Sequence, residues 1–387
     1  MILCFQSKPR RNNHRHRSNQ ALVIVTLLSL CVTLAQASIG DELPAFQYCL
    51  ATCHCANLPS EYTVVGWSCT SNCNYYCQQT ITDEIERLNL PVVQFYGKWP
   101  FKTVLGVQEF WSTMFSLGNL YVNYQSFRVI YREFKKLPKQ KQNSASINTT
   151  VVESQILNWQ SLVLLVVSCI GWCFSSIFHF RDTALTEVLD YFGAFAIILC
   201  NLNVIVVRYF KLYKLRFKLV LKLWQLSLIA LYIYHLVRLF MDWDYTYNMN
   251  INVVLGLSAM ILWFLHSFAI GRIYNKNINL VSNTITLVPY ETNILQKLHL
   301  HNHKITRLRS RHKRLSLANS SHWIPYIPIF NNVILLCGLY LEINDFKPWK
   351  RLIDAHCLWH LLTIFPSYIW FDWNVWDVEM SIVTNTL

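Results

Sequence analysis

Residues 157–207 read LNWQSLVLLVVSCIGWCFSSIFHFRDTALTEVLDYFGAFAIILCNLNVIVV: two apolar runs, at about 157–178 and 185–207, joined by the short link Phe180-Arg181-Asp182-Thr183. Each matches the roughly 20 residues that a helix needs to cross a bilayer. A link this short makes the two runs antiparallel neighbours. Outward from this pair, comparable segments stand at about 103–127, 217–240, 249–271, 323–343 and 352–372, which makes seven expected spans. The first is the most polar, carrying Gln108, Glu109 and Asn119, and is expected to be amphipathic and to face the bundle.

Composition agrees. Of 387 residues, 53% are hydrophobic and only 14% charged, against roughly 25% charged in soluble proteins. That excludes a disordered or ordinary soluble chain, and 10 Gly with 11 Pro exclude a collagenous one. The net charge of +13 could suggest nucleic acid, but the basic residues stand between the apolar runs, at 128–141, 208–218 and 272–314. A positive-inside topology accounts for them, with these loops in the cytosol. The alternate links, at 180–183, 242–244 and 342–351, then face the lumen. The stretch 272–322 is the one long polar insertion, a basic cytosolic loop rich in Asn, His and Arg, and 373–387 is expected as a cytosolic tail. The sequons Asn148-Thr149-Thr150 and Asn319-Ser320-Ser321 fall in cytosolic loops, so glycans there would reverse the topology.

The chain opens with Lys8, Arg10, Arg11, Arg15 and Arg17, an apolar stretch Ala21 to Leu34, and Ala35-Gln36-Ala37, the pattern of a signal peptide over 1–37. Six cysteines, Cys49, Cys53, Cys55, Cys69, Cys73 and Cys77, crowd the following 38–102 region. Behind a signal peptide they imply up to three disulfides, with the pairing open. A zinc ribbon on Cys69, Cys73 and Cys77 is disfavoured, because no His stands at ribbon spacing. The fold class is therefore an all-α membrane protein: a seven-transmembrane bundle (103–372) with a small disulfide-rich lumenal N-terminal region.

Ionisable groups inside spans are expensive and by default functional. The second span ends with Ser175 and His179, the third opens with Asp190, and the seventh opens with His356 and His360. All lie at lumenal ends. His356 and His360, four apart, share one helix face, and Ser175 and His179 repeat that spacing. Three imidazoles at one depth leave a fourth ligand position open, the arrangement of catalytic rather than structural zinc, in which the metal acidifies a water. Asp190 could take that water's proton, and the Ser175 hydroxyl could meet the oxyanion of an ester. Asp190 could equally pair with Arg181. His235 and His266 are isolated, and His301, His303 and His312 belong to the basic loop.

The ordered set Gly66-Trp67-Ser68-Cys69, Gln94-Phe95-Tyr96-Gly97-Lys98-Trp99-Pro100-Phe101, Ser175-x3-His179-x-Arg181-Asp182-Thr183, Thr186-Glu187-x2-Asp190-Tyr191, Asp244-Tyr245-x-Tyr247-Asn248 and Asp354-Ala355-His356-x2-Trp359-His360 resembles the post-GPI-attachment-to-proteins factor three (Per1-like) family, from about 41 to 372. That family is placed in the CREST superfamily of seven-span hydrolases, with alkaline ceramidases and adiponectin receptors. The resemblance implies a phospholipase A2 type activity that removes the unsaturated sn-2 acyl chain from GPI-anchored proteins, in the Golgi or, in fungi, the endoplasmic reticulum. By position it implies Zn2+ on His179, His356 and His360, a nucleophilic water oriented by Asp190, and an oxyanion steadied by Ser175. The 272–322 loop is longer than the family pattern suggests, and the sixth span, with Pro325, Pro328 and Asn331-Asn332, matches least securely. Three other functions compete: a receptor-like seven-span regulator, a ceramidase-like amidase using the same site, and a scaffold for GPI-anchored cargo.

Overall fold

The computed structural model of the chain describes residues 38–54, 62, 64–136, 145–281, 290, 294, 297, 298 and 323–386. The expected signal segment 1–37, Cys55, Asn319 and most of the 272–322 insertion lie outside the described residues. Helices run over Pro44–Thr52 (α1), Cys69–Arg87 (α2), Phe110–Lys136 (α3), Ala145–Phe180 (α4), Ala184–Tyr209 (α5), Lys218–Met241 (α6), Tyr245–Val281 (α7), Ile327–Asn344 (α8) and Ala355–Thr386 (α9). Among the described residues there is no strand, only isolated bridges such as Val104 with Val107.

Among the described residues, five helices are long and apolar enough to cross a membrane: α4, α5, α6, α7 and α8 with their flanks. The other two long helices, α3 and α9, are the more polar ones. On α3 the buried residues are Ser112, Thr113, Ser116, Asn119, Asn123, Ser126 and Ile130, a polar stripe at three- and four-residue spacing that faces the bundle. The helix starts at Phe110 rather than near 103. Val104 to Val107 form a tight turn instead, with Leu105 and Gly106 both at positive φ.

Two other expectations are corrected. Residue 372 is not the end of the last helix: α9 continues to Thr386, and Trp373, Val375, Trp376 and Met380 belong to the main core. These large apolar side chains at helical spacing carry the pattern past Asp372. The 272–322 insertion is likewise not wholly a solvated loop. α7 runs on to Val281, and Tyr290 and Ile294 are buried in the same core.

Close packing of α4 on α5 positions the site. A Cβ on Gly171 would fall 2.6 Å from a methyl of Ile197, and one on Gly193 would fall 3.0 Å from the Gly171 Cα. Only glycine lets these backbones approach so nearly, a device common between membrane helices. Thr183 caps α5, accepting from the Thr186 N–H, while the Thr186 hydroxyl accepts from the Thr183 N–H.

The Cys-rich region is stapled by Cys49–Cys77 and Cys53–Cys73, which tie α1 to α2 around Phe46 and Phe95. It is joined to the bundle by polar contacts. Arg181 donates to Gln108 Oε1 (2.8 Å) and Ser71 Oγ (2.7 Å) and stacks over Trp67. Arg351 donates to Gln79 Oε1 (3.0 Å) and Glu86 Oε2 (2.6 Å), and Asp345 accepts from Gln94 (2.8 Å) and Trp99 (2.9 Å). These links fix the segments that lead into α5 and α9.

Candidate metal centre

His179, on the last turn of α4, meets His356 and His360, on the first turns of α9. One ring nitrogen from each lies within 4.8 Å of the others. His179 and His360 are buried, and His356 borders a cavity. The start of α9 is fixed by Asp354, whose carboxylate accepts from the Cys357 N–H at 2.8 Å.

Each imidazole has its outer nitrogen held. His179 Nδ1 lies 2.8 Å from Glu109 Oε2, and His356 Nδ1 lies 2.9 and 3.0 Å from the two Glu342 oxygens. A carboxylate only accepts, so both Nδ1 atoms carry the proton, which leaves Nε2 as the ring atom of each that could ligate a metal. His360 Nδ1 lies 3.1 Å from Ser116 Oγ. The inner atoms have little else to bind. His179 Nε2 is buried without a partner, and the Nε2 atoms of His356 and His360 are 2.9 Å apart.

This donor set fits zinc: three imidazole nitrogens converge, and the two outer carboxylates raise ligand basicity, as around known zinc sites. Three imidazoles also suit other divalent ions, so the donors alone do not select the metal. Other groups follow from the same packing. Ser175 Oγ is 3.1 Å from Ser116 Oγ, and Ser175 stands near the Asp190 carboxyl. Arg181 is taken up by Gln108, Ser71 and Trp67 rather than by Asp190.

A cavity of about 380 Å³ opens beside Asp190 and His356 and is lined further in by Trp172, Leu164, Trp359, Trp370 and Phe371. From His356 to Trp370 along α9 is about 21 Å at 1.5 Å per residue. The lining is mostly apolar, so the pocket suits a chain rather than a polar solute.

Sequence reasoning placed the three histidines, Ser175 and Asp190 at one end of the bundle, and the structure brings the five together. It did not find Glu109, Glu342 or Ser116. Glu109 and Glu342 stand at segment ends, where a carboxylate is usually solvated. The signal that could have singled out Ser116 is the small-polar spacing Ser112, Ser116, Asn119, Asn123 on α3. His266, isolated in the sequence, is paired with Asp377 at 3.0 Å.

Comparison with known proteins gives the lineage. Residues 59–378 match the model of the Per1-like family. The chain is 32% identical to "Protein PER1" of Saccharomyces cerevisiae, covering 92% of this chain and 96% of that one. It is 29% identical to "Post-GPI attachment to proteins factor 3" of Drosophila melanogaster (95% and 96%) and 28% identical to "GPI-specific phospholipase A2-like PGAP3" of Cricetulus griseus (89% and 90%). No solved structure matches. With a family model covering most of its length, joined to a relative nearly as long, the chain belongs to the Per1-like family.

Proposed function

We propose that this protein remodels GPI anchors as a metal-dependent lipid hydrolase of phospholipase A2 type, cleaving the sn-2 ester of GPI-anchored proteins. The observation that carries this reading is the three-histidine cluster at the mouth of a mostly apolar cavity. Relatives named for GPI attachment and for a GPI-specific phospholipase A2-like activity support the substrate class.

In this reading the bundle has seven spans, α3 to α9, with the Cys-rich region in the lumen and the basic loops in the cytosol. The lumenal leaflet of the Golgi or endoplasmic reticulum then presents lipid to the site. The acyl chain enters between Trp172 and Trp359 and lies along α9, which leaves the ester beside His356 and Asp190. His179, His356 and His360 would hold Zn2+, which when bound would supply Lewis acidity toward the ester and a water. Asp190 accepts that water's proton. Ser175 meets the ester oxygen as charge develops there. Glu109 and Glu342 keep the imidazoles in the ligating tautomer.

The test is complementation. Wild type and a His356→Ala/His360→Ala double variant are expressed in cells lacking the remodelling enzyme, and the sn-2 chain of a GPI-anchored reporter is read by mass spectrometry. Chain removal by wild type alone, at equal expression, supports the reading. Equal rescue by the variant overturns the metal site, and failure of both overturns the substrate.

A further inference from the structure

The α3 helix places Ser116 between two candidate site residues, the metal ligand His360 and Ser175. Its hydroxyl is 3.1 Å from His360 Nδ1 and 3.1 Å from Ser175 Oγ, and Ser116 is fully buried. Distances alone leave the donor at each contact open, but the chemistry at the two ends closes the choice. For His360 to offer Nε2 to a metal, its Nδ1 must carry the proton, so Ser116 accepts there. Among the described residues, the other contact of the Ser116 hydroxyl is Ser175 Oγ, which then accepts its proton. Ser175, accepting from Ser116, keeps its own proton free for another acceptor. One orientation satisfies both links: His360 donates to Ser116, and Ser116 donates to Ser175.

We propose that Ser116 is a positioning residue that sets this order, fixing the His360 tautomer and orienting the Ser175 hydroxyl. The inference rests on the metal-dependent reading above. Ser116 touches neither metal nor ester; it acts through His360 and Ser175. Its backbone surroundings are prepared for the task. The neighbouring Asn119 donates to the His360 carbonyl at 2.7 Å, and Thr363 donates to the same carbonyl at 2.8 Å, so α3 and α9 are locked at this level. Removing the Ser116 hydroxyl leaves His360 Nδ1 without an acceptor. The ring is then free to exchange tautomers, or to share a proton with His356 Nε2 only 2.9 Å away, and either change removes a ligand lone pair.

The test uses full-length protein in detergent and compares Ser116→Ala, Ser116→Thr and Ser126→Ala. Ser126 lies on the same buried stripe, one turn beyond Asn123, and its hydroxyl reaches only the Ser367 carbonyl at 3.5 Å. Two readouts are taken: zinc affinity by chelator competition, and kcat against KM on a GPI lipid. Ser116→Ala is expected to weaken zinc binding and lower kcat by about 10–100-fold, the range seen when ligand-orienting partners are lost, with KM little changed. Ser116→Thr, which restores a hydroxyl, recovers most of both, and Ser126→Ala matches wild type. Wild-type zinc affinity and kcat in Ser116→Ala would overturn the relay alone. So would a Ser126→Ala loss as large as that of Ser116→Ala, since the stripe would then matter only as packing. A wild type that does not bind zinc would overturn the metal centre and the relay with it.

Discussion

Glu109 holds His179 twice. Its Oε2 lies 2.8 Å from the ring Nδ1, and its backbone N–H donates to the His179 carbonyl at 3.0 Å. The backbone bond sets where the residue stands, and the carboxylate sets the tautomer. Glu109→Gln keeps the first and weakens the second. Zinc affinity, measured by chelator competition, is expected to fall about 10–100-fold while the melting temperature barely moves. Glu342→Gln should act in the same way through His356, and the double variant should bind more weakly than either.

Removal of the metal is expected to be reversible in the wild type. Hydrolysis of a GPI lipid should disappear on dialysis against a chelator and return with stoichiometric zinc. His179→Ala should stay inactive after zinc is added back, yet retain its helical circular dichroism, because the helices are held by packing remote from the ring. Activity that persists through exhaustive chelation would remove the metal from the reaction.

The elements legible in sequence were those governed by apolar periodicity alone, and the five helices long and apolar enough to cross a membrane all coincide with runs visible there. The harder elements were α3 and α9. In α3 the buried face is the polar one, Ser112 to Ser126, so hydrophobicity marks the outer face and blurs the boundaries. In α9 the charged Asp372 and Asp377 resemble the start of a solvated tail, yet Asp377 is 2% exposed because Arg208 and His266 meet it. The site was legible as far as residue type and spacing reach. His356 and His360 declare themselves by a four-residue interval, whereas Glu109, Glu342 and Ser116 come from other segments, and only tertiary packing brings them to the rings.

The contacts of Arg351 with the Cys-rich region have a pH signature. Hydrogen bonds from Lys347 and Arg351 hold the Glu86 carboxyl below the ordinary carboxylate value. A lowered folded value means stabilisation that is complete above the unfolded carboxylate value of about 4.3 and is lost as the pH falls through the folded one. The melting temperature should thus be flat from pH 7 to 5 and drop below about pH 4. Glu86 is substantially exposed, so Glu86→Gln should flatten that drop by no more than about 0.2–1 kcal/mol. Arg351→Met removes the donor to Glu86, Asp83 and Gln79 together and is expected to destabilise by about 1–3 kcal/mol at pH 7.

At the opposite end of the bundle, Asp377 receives Arg208 Nε at 2.5 Å, Arg208 Nη2 at 3.0 Å and His266 Nε2 at 3.0 Å. All three residues are buried. Asp377→Asn would leave the guanidinium without a counter-charge, a change that typically costs about 3–5 kcal/mol. A large fall in the melting temperature of the purified protein is expected, with zinc affinity at the far end unaltered. Replacing Arg208 and Asp377 together by Met and Leu should recover much of the loss, because the uncompensated charge is gone.

Gly256 on α7 lines the cavity, and a Cβ built there meets no atom within 4 Å. A larger side chain at this position can therefore extend into the cavity without pushing on the protein, and leucine in place of glycine also favours the helix by up to about 1 kcal/mol. Gly256→Leu should fold and bind zinc as the wild type does. If the cavity receives the acyl chain, the variant should lose turnover on long-chain lipids far more than on short-chain analogues, so the ratio of kcat/KM between the two shifts toward the short chain. An unchanged ratio, with the leucine shown to occupy the cavity, would place the acyl chain elsewhere and separate the histidine cluster from the pocket as the basis of lipid recognition.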